Sequence, residues 1–143
     1  MKKLSIIIAA SLMTLGTVFG QTETTQQQMN NQEHYTFQLS DKVTRQKVTF
    51  KNRFGITLTG DLYVPKNVSE KVSAIAVSGP FGAVKEQSSG LYASQMAERG
   101  FVTLAFDPSY TGESSGTPRN MASPDINTED FSAAVDFLGS LDN

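Results

Sequence analysis

Residues Val72–Gly112 have the sequence VSAIAVSGPFGAVKEQSSGLYASQMAERGFVTLAFDPSYTG. Two short runs, Ala74–Val77 and Phe101–Phe106, are apolar except for one threonine, and a segment long enough for a helix separates them. Apolar runs without polar alternation are typical of strands buried on both faces of a parallel sheet. Parallel neighbours need a crossover connection, which is nearly always right-handed. The stretch therefore predicts one βαβ unit.

The two loops that follow these predicted strands are Ser78–Gln87 and Asp107–Arg119. Functional loops in open α/β sheets lie at the carboxyl ends of the strands, so both loops are candidates for a functional site. Asp107 could serve as a catalytic acid, but we expect it to accept hydrogen bonds from loop backbone, as Asp does in turns. Lys85 and Glu86 are expected to be solvated or locally paired, because surface ion pairs contribute only about 0–1 kcal/mol.

A β-hairpin is predicted upstream of the βαβ unit, with order beginning near Val43. Val48 and Phe50 share one face of its first strand. The second strand alternates polar residues with Ile56, Leu58, Leu62 and Val64. This period of two predicts a strand buried on one face. The intervening KNRFG indicates a longer hairpin loop, and Pro65 ends the second strand.

Helical patterns occur in the crossover and in the last segment. In the crossover helix, Ser88 or Ser89 is the expected N-cap and Gly100 the expected C′ residue. Its predicted apolar stripe consists of Leu91, Tyr92 and Met96.

The last helix is predicted to have Asn127 as its N-cap and to continue to Asn143. Asp130 would then occupy N3, and Ile126 would form a hydrophobic staple with Phe131. Its predicted apolar face consists of Phe131, Val135, Leu138 and Leu141. No strand follows this helix, so we expect the last strand to have an open edge.

The first twenty residues indicate a secretory signal peptide. Lys2 and Lys3 precede the apolar stretch Leu4–Phe19, and Val18 and Gly20 occupy the −3 and −1 positions of a cleavage site after Gly20. A membrane helix is the alternative, but the stretch is shorter than the roughly 20 apolar residues of a span. We therefore expect a periplasmic or secreted protein with no stable membrane anchor after cleavage.

Residues 21–42 form a polar leader rich in Gln and Asn, which we expect to be mostly disordered. The only histidine, His34, lies in this leader, and the chain has no cysteine. Disulfides are therefore excluded, and no metal-ligand cluster is expected. The 12 basic residues less Lys2 and Lys3 leave 10 against 14 acidic ones, a formal charge of −4, which argues against nucleic acid as a partner.

A dinucleotide site is an alternative for the first loop, because Gly79 and Gly82 follow a predicted strand and Asp107 ends the next. The pattern G-x-G-x-x-G is absent, however, and Pro80 lies between the glycines. We therefore expect no cofactor.

The chain resembles the N-terminal part of an α/β-hydrolase of the dienelactone-hydrolase-like type. The resemblance covers residues 43–143, a partial α/β-hydrolase-like domain, and is carried by FKNRFGITLTGDLYVP, GPFGAVKEQ and GFVTLAFDPSYTGESSG. It implies an α/β fold in which an antiparallel hairpin leads into a parallel βαβ unit plus a further helix. It also implies hydrolysis of an ester or related acyl bond of a small molecule.

The resemblance further implies that backbone N–H groups of Phe81 and Gly82 form half of an oxyanion hole. Family members often have a His-containing, Gly-rich loop here, whereas this chain has Ser78-Gly79-Pro80-Phe81-Gly82. The family's Ser or Cys nucleophile, acid and histidine come after the last helix, so we expect no catalytic residue in this chain and no activity from it alone. The alternative is a short exported non-catalytic binding protein or a relic of a hydrolase.

The run Gly112-Glu113-Ser114-Ser115-Gly116 matches the pattern G-x-S-x-G. A nucleophile elbow requires a strand directly before the first glycine and a helix directly after the serine. Here Pro108, Ser109, Tyr110 and Thr111 lie between Asp107, at the end of the predicted strand, and Gly112, and Thr117-Pro118 follows the motif. We therefore expect Ser114 not to be a nucleophile.

Overall fold

The computed structural model describes residues 34–68 and 71–141. Its elements, in chain order, are β1 (Val43–Lys51), β2 (Thr57–Pro65), β3 (Ala74–Val77), α1 (Ser88–Glu98), β4 (Val102–Phe106) and α2 (Pro124–Gly139). The predicted signal peptide, residues 1–20, and leader residues 21–33 lie outside the described residues. Within the described ranges, neither helix has the length and apolarity needed to cross a bilayer.

The four strands form one mixed sheet in the order β1-β2-β4-β3. Strands β1 and β2 are antiparallel, and β3 and β4 are parallel with Ala76 opposite Leu104. The predicted hairpin and βαβ unit are therefore confirmed. Strand β4 also pairs antiparallel with β2, so it is an interior strand. The prediction that the last strand has an open edge is wrong, and β3 is the end strand on that side of the described sheet.

Strand β2 is buried on both faces, although its alternating sequence predicts burial on one. Leu62 lies in an apolar cluster with Leu104, whereas its neighbour Tyr63 lies in a second cluster with Ala93 of α1. Even Asp61, at a polar position of the alternation, is buried. Each face of β2 is covered because α1 packs on one side of the sheet and α2 on the other.

The N-cap of helix α1 is Gln87, so the predicted caps Ser88 and Ser89 are wrong by one and two positions. The predicted apolar stripe is also wrong, since Leu91 and Tyr92 are exposed. The buried residues of α1 are small ones, namely Ser89, Gly90, Ala93, Ser94 and Ala97. Small side chains let the helix backbone lie close to the sheet, whereas the larger Leu91 and Tyr92 remain exposed.

The end of α1 agrees with the prediction for Gly100, which has a positive φ of 99°. The Gly100 N–H donates to the Ala97 carbonyl at 3.0 Å, and the Phe101 N–H donates to the Met96 carbonyl at 3.3 Å. These two bonds define a Schellman motif and satisfy carbonyls that the helix leaves free.

Helix α2 begins at Pro124 with Ser123 as its N-cap, so the predicted cap at Asn127 is wrong. Proline suits the first helical position because its fixed φ is already helical and its missing N–H is not needed there. Asp130 consequently lies in the second turn rather than at N3. The predicted apolar face is wrong in part: Phe131 and Val135 are 42% and 60% exposed, while Leu138 and Leu141 pack against the core. The helix ends at Gly139 rather than at Asn143.

The packed region begins before Val43, at a segment that we call the N-terminal strap, Tyr35–Phe37. The Tyr35 hydroxyl donates to Asp61 Oδ2 at 2.8 Å, and the Thr36 N–H donates to the Glu86 carbonyl at 3.1 Å. Phe37 packs against the cluster between the sheet and α1. These three residues are packed through two aromatic rings, and disorder for most of residues 21–42 stays a prediction.

Candidate functional site

The loops Ser78–Gln87 and Asp107–Arg119 lie next to each other because the strands that precede them, β3 and β4, are parallel neighbours. Lys85 joins the two loops. Its side chain is 0% exposed, and its Nζ lies 2.5 Å from Glu86 Oε1, 3.2 Å from Asp107 Oδ2 and 2.6 Å from Glu113 Oε2. Of the two expectations for Lys85 and Glu86, solvated or locally paired, the local pairing is confirmed, but the pair does not lie at the surface because Lys85 is buried.

The charges around Lys85 explain how a lysine can be buried. Desolvation lowers the pKa of Lys85, but hydrogen bonds to Glu113 and Glu86 and the charge of Asp107 outweigh it, so the pKa is raised overall. Lys85 is therefore protonated at neutral pH and cannot act as a base. Lys47 and Lys85 both hydrogen-bond Glu113 and lower the pKa of its carboxyl.

Asp107 binds loop backbone, as predicted from its position after a buried strand. Its Oδ1 accepts the Lys85 N–H at 2.8 Å, and its Oδ2 accepts the Glu113 N–H at 3.0 Å. Gly112 has a φ of +52°, and a Cβ there would lie 2.2 Å from Asp107 Oδ2. The carboxylate thus occupies the space that any other residue at Gly112 would fill.

Ser114 is 1% exposed and its hydroxyl is used within the fold. Its Oγ accepts the Thr59 N–H at 2.9 Å and donates to the Asp107 carbonyl at 2.6 Å. A nucleophile must instead present its Oγ to the substrate. The geometry agrees with the expectation that this G-x-S-x-G run is not an elbow.

Phe81 and Gly82 occupy the centre of a tight turn, which the Ala83 N–H closes by donating to the Pro80 carbonyl at 3.0 Å. Gly82 has a φ of +83°, and a type II turn requires a positive φ at its third residue. The Phe81 side chain is 74% exposed. Within residues 34–68 and 71–141, no acceptor binds the N–H of Phe81 or of Gly82. Their role in an oxyanion hole stays a prediction.

A second buried network fixes the loop after β4 to α2. Asp130 Oδ1 accepts from Asn52 Nδ2 and from the Ser109 hydroxyl, each at 2.8 Å, and its Oδ2 accepts the Ser109 N–H at 2.8 Å. The Asn52 Oδ1 accepts N–H groups within the hairpin loop. Asp130 therefore connects α2, the β1–β2 hairpin and the loop after β4.

Asp61 is a third buried acid that the sequence placed on an exposed strand face. Its Oδ2 accepts the Tyr35 hydroxyl, whereas its Oδ1 and the buried Tyr63 hydroxyl have no hydrogen-bond partner among the described residues. Burial raises the pKa of Asp61, and the hydrogen bond from Tyr35 and the charge of Lys85 offset part of this effect. Across the described ranges, no three His, Asp or Glu side chains are grouped as metal ligands.

No family model matches the chain. The chain is 69% identical over 117 residues to an uncharacterized protein of Pseudomonas aeruginosa. The matched region covers 81% of this chain and 32% of that protein. The crystal structure of the Pseudomonas protein superposes on this chain with a TM-score of 0.73, and the match covers 76% of this chain and 34% of the Pseudomonas chain. A thiohydrolase of Eupenicillium brefeldianum is 32% identical over 97 residues, 68% of this chain and 30% of that protein.

The α/β-hydrolase GrgF from a Penicillium species is 29% identical, with a TM-score of 0.62 over 68% of this chain and 32% of that one. The chain therefore has the fold of the N-terminal portion of an α/β-hydrolase, as the resemblance implied. Its relatives include thiohydrolases, and it spans about a third of the length of the curated relatives that it matches.

Proposed function

We propose that this chain forms the oxyanion side of the active site in an exported α/β-hydrolase that cleaves esters or thioesters of small acids. The observation that supports this role is that the N–H groups of Phe81 and Gly82, on the exposed turn after β3, have no acceptor among the residues that the structure describes. In this fold, a backbone N–H from the loop after the third strand supplies half of the oxyanion hole.

The chemistry requires such donors at one step. A Ser or Cys nucleophile adds to the carbonyl carbon, and the electron pair of the C=O bond moves onto the carbonyl oxygen. Fixed N–H groups stabilise that charge in the transition state, and loss of one donor costs roughly 10²–10³-fold in kcat. The family resemblance assigns the nucleophile, the acid and the histidine to segments that follow the last helix.

The dienelactone-hydrolase-like type is part of the proposal, and GPFGAVKEQ followed by GFVTLAFDPSYTGES supports it. Export is also part of it, and the support is the apolar stretch after Lys2 and Lys3. Cells that express the whole chain should yield a mature protein whose mass lacks residues 1–20. A Lys2→Glu/Lys3→Glu variant should remain unprocessed, and a full-length wild-type mass would argue against export.

The catalytic proposal can be tested in a chimera that joins residues 34–143 to the part of the Pseudomonas relative that this chain does not cover. We expect the chimera to hydrolyse a 4-nitrophenyl ester or an acyl thioester. Phe81→Pro removes one N–H at a turn position that favours proline, so kcat should fall about 10²–10³-fold with little change in KM. Phe81→Ala keeps the N–H and serves as the matched control.

The two failures are distinct. A folded chimera that hydrolyses neither substrate would contradict the hydrolase proposal and favour the non-catalytic binding alternative. An active chimera in which Phe81→Pro and Phe81→Ala have equal kcat would contradict only the assignment of the Phe81 N–H.

A further inference from the structure

We propose that Lys85 is a positioning residue, which holds the Pro80–Ala83 turn and its N–H groups at Phe81 and Gly82 against the loop after β4. The catalytic meaning of this inference rests on the proposed function, because only a hydrolase would use those N–H groups. The positioning itself is a property of the described residues and can be measured without any reaction.

Lys85 is attached to Asp107 twice. Its backbone N–H donates to Asp107 Oδ1 at 2.8 Å, and its Nζ donates to Asp107 Oδ2 at 3.2 Å. Asp107 is in turn fixed to the sheet, because its own N–H donates to the Thr59 carbonyl of β2 at 3.0 Å. Asp107 therefore anchors the loop after β3 to β2, an interior strand of the sheet.

The opposite side of Lys85 is fixed by helix α1. A Cβ added to Gly90 would lie 2.2 Å from the Lys85 carbonyl oxygen, so helix and loop backbone are in direct contact there. The strap adds a further hydrogen bond, from the Thr36 N–H to the carbonyl of the next residue, Glu86. Lys85 is thus enclosed between β4 and α1.

Only two residues, Ala83 and Val84, separate Lys85 from Gly82. A second turn follows the first directly, with the Gln87 N–H donating to the Val84 carbonyl at 3.0 Å and Gln87 Oε1 accepting the Val84 N–H at 3.2 Å. The connection has little slack because these two turns are consecutive. A displacement of Lys85 is therefore transmitted to Gly82.

The surrounding charge makes Lys85 hard to replace. Without its ammonium group, the carboxylates of Glu86, Asp107 and Glu113 would face one another around a buried space. An uncompensated buried charge is strongly unfavourable, so the loops would separate. Lys47 bonds the same Glu113 at 2.7 Å, but its side chain is exposed and does not contact Asp107.

The test uses the whole 143-residue chain labelled with ¹⁵N. We expect the Gly82 amide to have an order parameter of about 0.85 in the wild type and below about 0.6 in Lys85→Met. The amides of Ala83, Lys85 and Gln87 should exchange at least about tenfold faster in Lys85→Met, whereas the amides of β2 and β4 should not change. Lys47→Met is the matched control and should leave Gly82 unchanged.

Lys85→Met could unfold the chain, so the double variant Lys85→Met/Glu113→Gln, which leaves one fewer carboxylate charge, is measured with it. The inference is overturned if a folded variant keeps the wild-type order parameter at Gly82, or if wild-type Gly82 is already mobile. It is also overturned if neither variant retains the amides of β2 and β4, because Lys85 would then support the whole fold. None of these results depends on hydrolysis by the chimera, so this inference and the proposed function can fail separately.

Discussion

Lys85 and Asp61 are two buried charged residues whose surroundings compensate the loss of water to different extents. Lys85 has three carboxylate partners, and all of them lie within 3.2 Å. Asp61 has one hydroxyl partner, at Tyr35, and its other oxygen has no partner in the described part of the chain. An ionised carboxylate in that position is unfavourable, so Asp61 should reduce stability at neutral pH, whereas the compensated charge of Lys85 should not.

The pKa of Asp61 predicts an unusual pH dependence. Because burial raises this pKa in the folded state above its ordinary value of 3.8, the folded chain takes up a proton more readily than the unfolded chain. The Asp61 contribution to the free energy of unfolding should therefore increase as the pH falls from 7 through the folded pKa, and be complete below 3.8. Asp61→Asn should lack this increase.

Urea unfolding at pH 5 and pH 7 measures the effect. At pH 7, Asp61→Asn should be more stable than the wild type by about 1 kcal/mol, since the Asn oxygen can still accept from Tyr35. Asp136→Asn, an exposed site on α2, should change little at either pH. An Asp61→Asn chain that is less stable than the wild type at pH 7 would contradict this account.

Helix α1 depends on close contact with the loop that precedes it, and Gly90 is the residue that allows the contact. A Cβ there would lie 2.2 Å from the Lys85 carbonyl oxygen and 3.0 Å from the Phe37 ring. We expect Gly90→Ala to lower the free energy of unfolding by about 1–3 kcal/mol, because backbone cannot move as easily as a side chain.

Gly139 at the end of α2 provides the matched control, because a Cβ there would meet nothing within 4 Å. Gly139→Ala should leave stability unchanged or raise it by up to about 1 kcal/mol through the reduced entropy of the unfolded chain. Thermal melting followed by circular dichroism compares the two variants. Equal changes would show that the contact at Gly90 is unimportant.

Helix α2 is joined to the rest of the described chain by the polar side chain of Asp130 as well as by its apolar residues. Asp130→Ala would remove the acceptor of the Ser109 N–H and hydroxyl and the nearer of the two acceptors of Asn52 Nδ2, which would keep only Ser109 Oγ at 3.3 Å. Unsatisfied buried donors cost about 1–3 kcal/mol each, so the variant should lose roughly 3 kcal/mol of stability in chemical denaturation. Asp136→Ala on the exposed side of the same helix should lose far less, and a similar loss in both would argue against the network.

At the scale of the whole molecule, we expect the described fold to lack hydrolytic activity of its own. Ser114, the serine of the G-x-S-x-G run, is buried and bonded to the Asp107 carbonyl, and the only histidine in the sequence is His34. The purified chain should therefore hydrolyse activated esters no faster than a Ser114→Ala variant. A clear rate that disappears in Ser114→Ala would contradict this expectation and make Ser114 a nucleophile.

The elements that the sequence predicted correctly are those in which local pattern and tertiary environment agree. The parallel pair β3–β4 is recognisable because β3 is apolar throughout and β4 is apolar except for Thr103. Gly100 is recognisable because a helix end favours a residue with positive φ. The starts of α1 and α2 were missed by one to four residues, since Gln87 gives no cap signal and Ser123, followed by Pro124, competes with Asn127 for the N-cap position.

The amino-acid sequence by itself determined the hairpin, the βαβ unit and the two loops after β3 and β4, because strand and helix periodicity are local properties. Only the tertiary structure decided which charges are buried. KEQ at Lys85 looks like a solvated run, and it becomes a buried centre because Asp107 and Glu113, 22 and 28 residues later, return to it. Pairing of β4 with both β2 and β3 brings these residues together, and no local pattern specifies that arrangement.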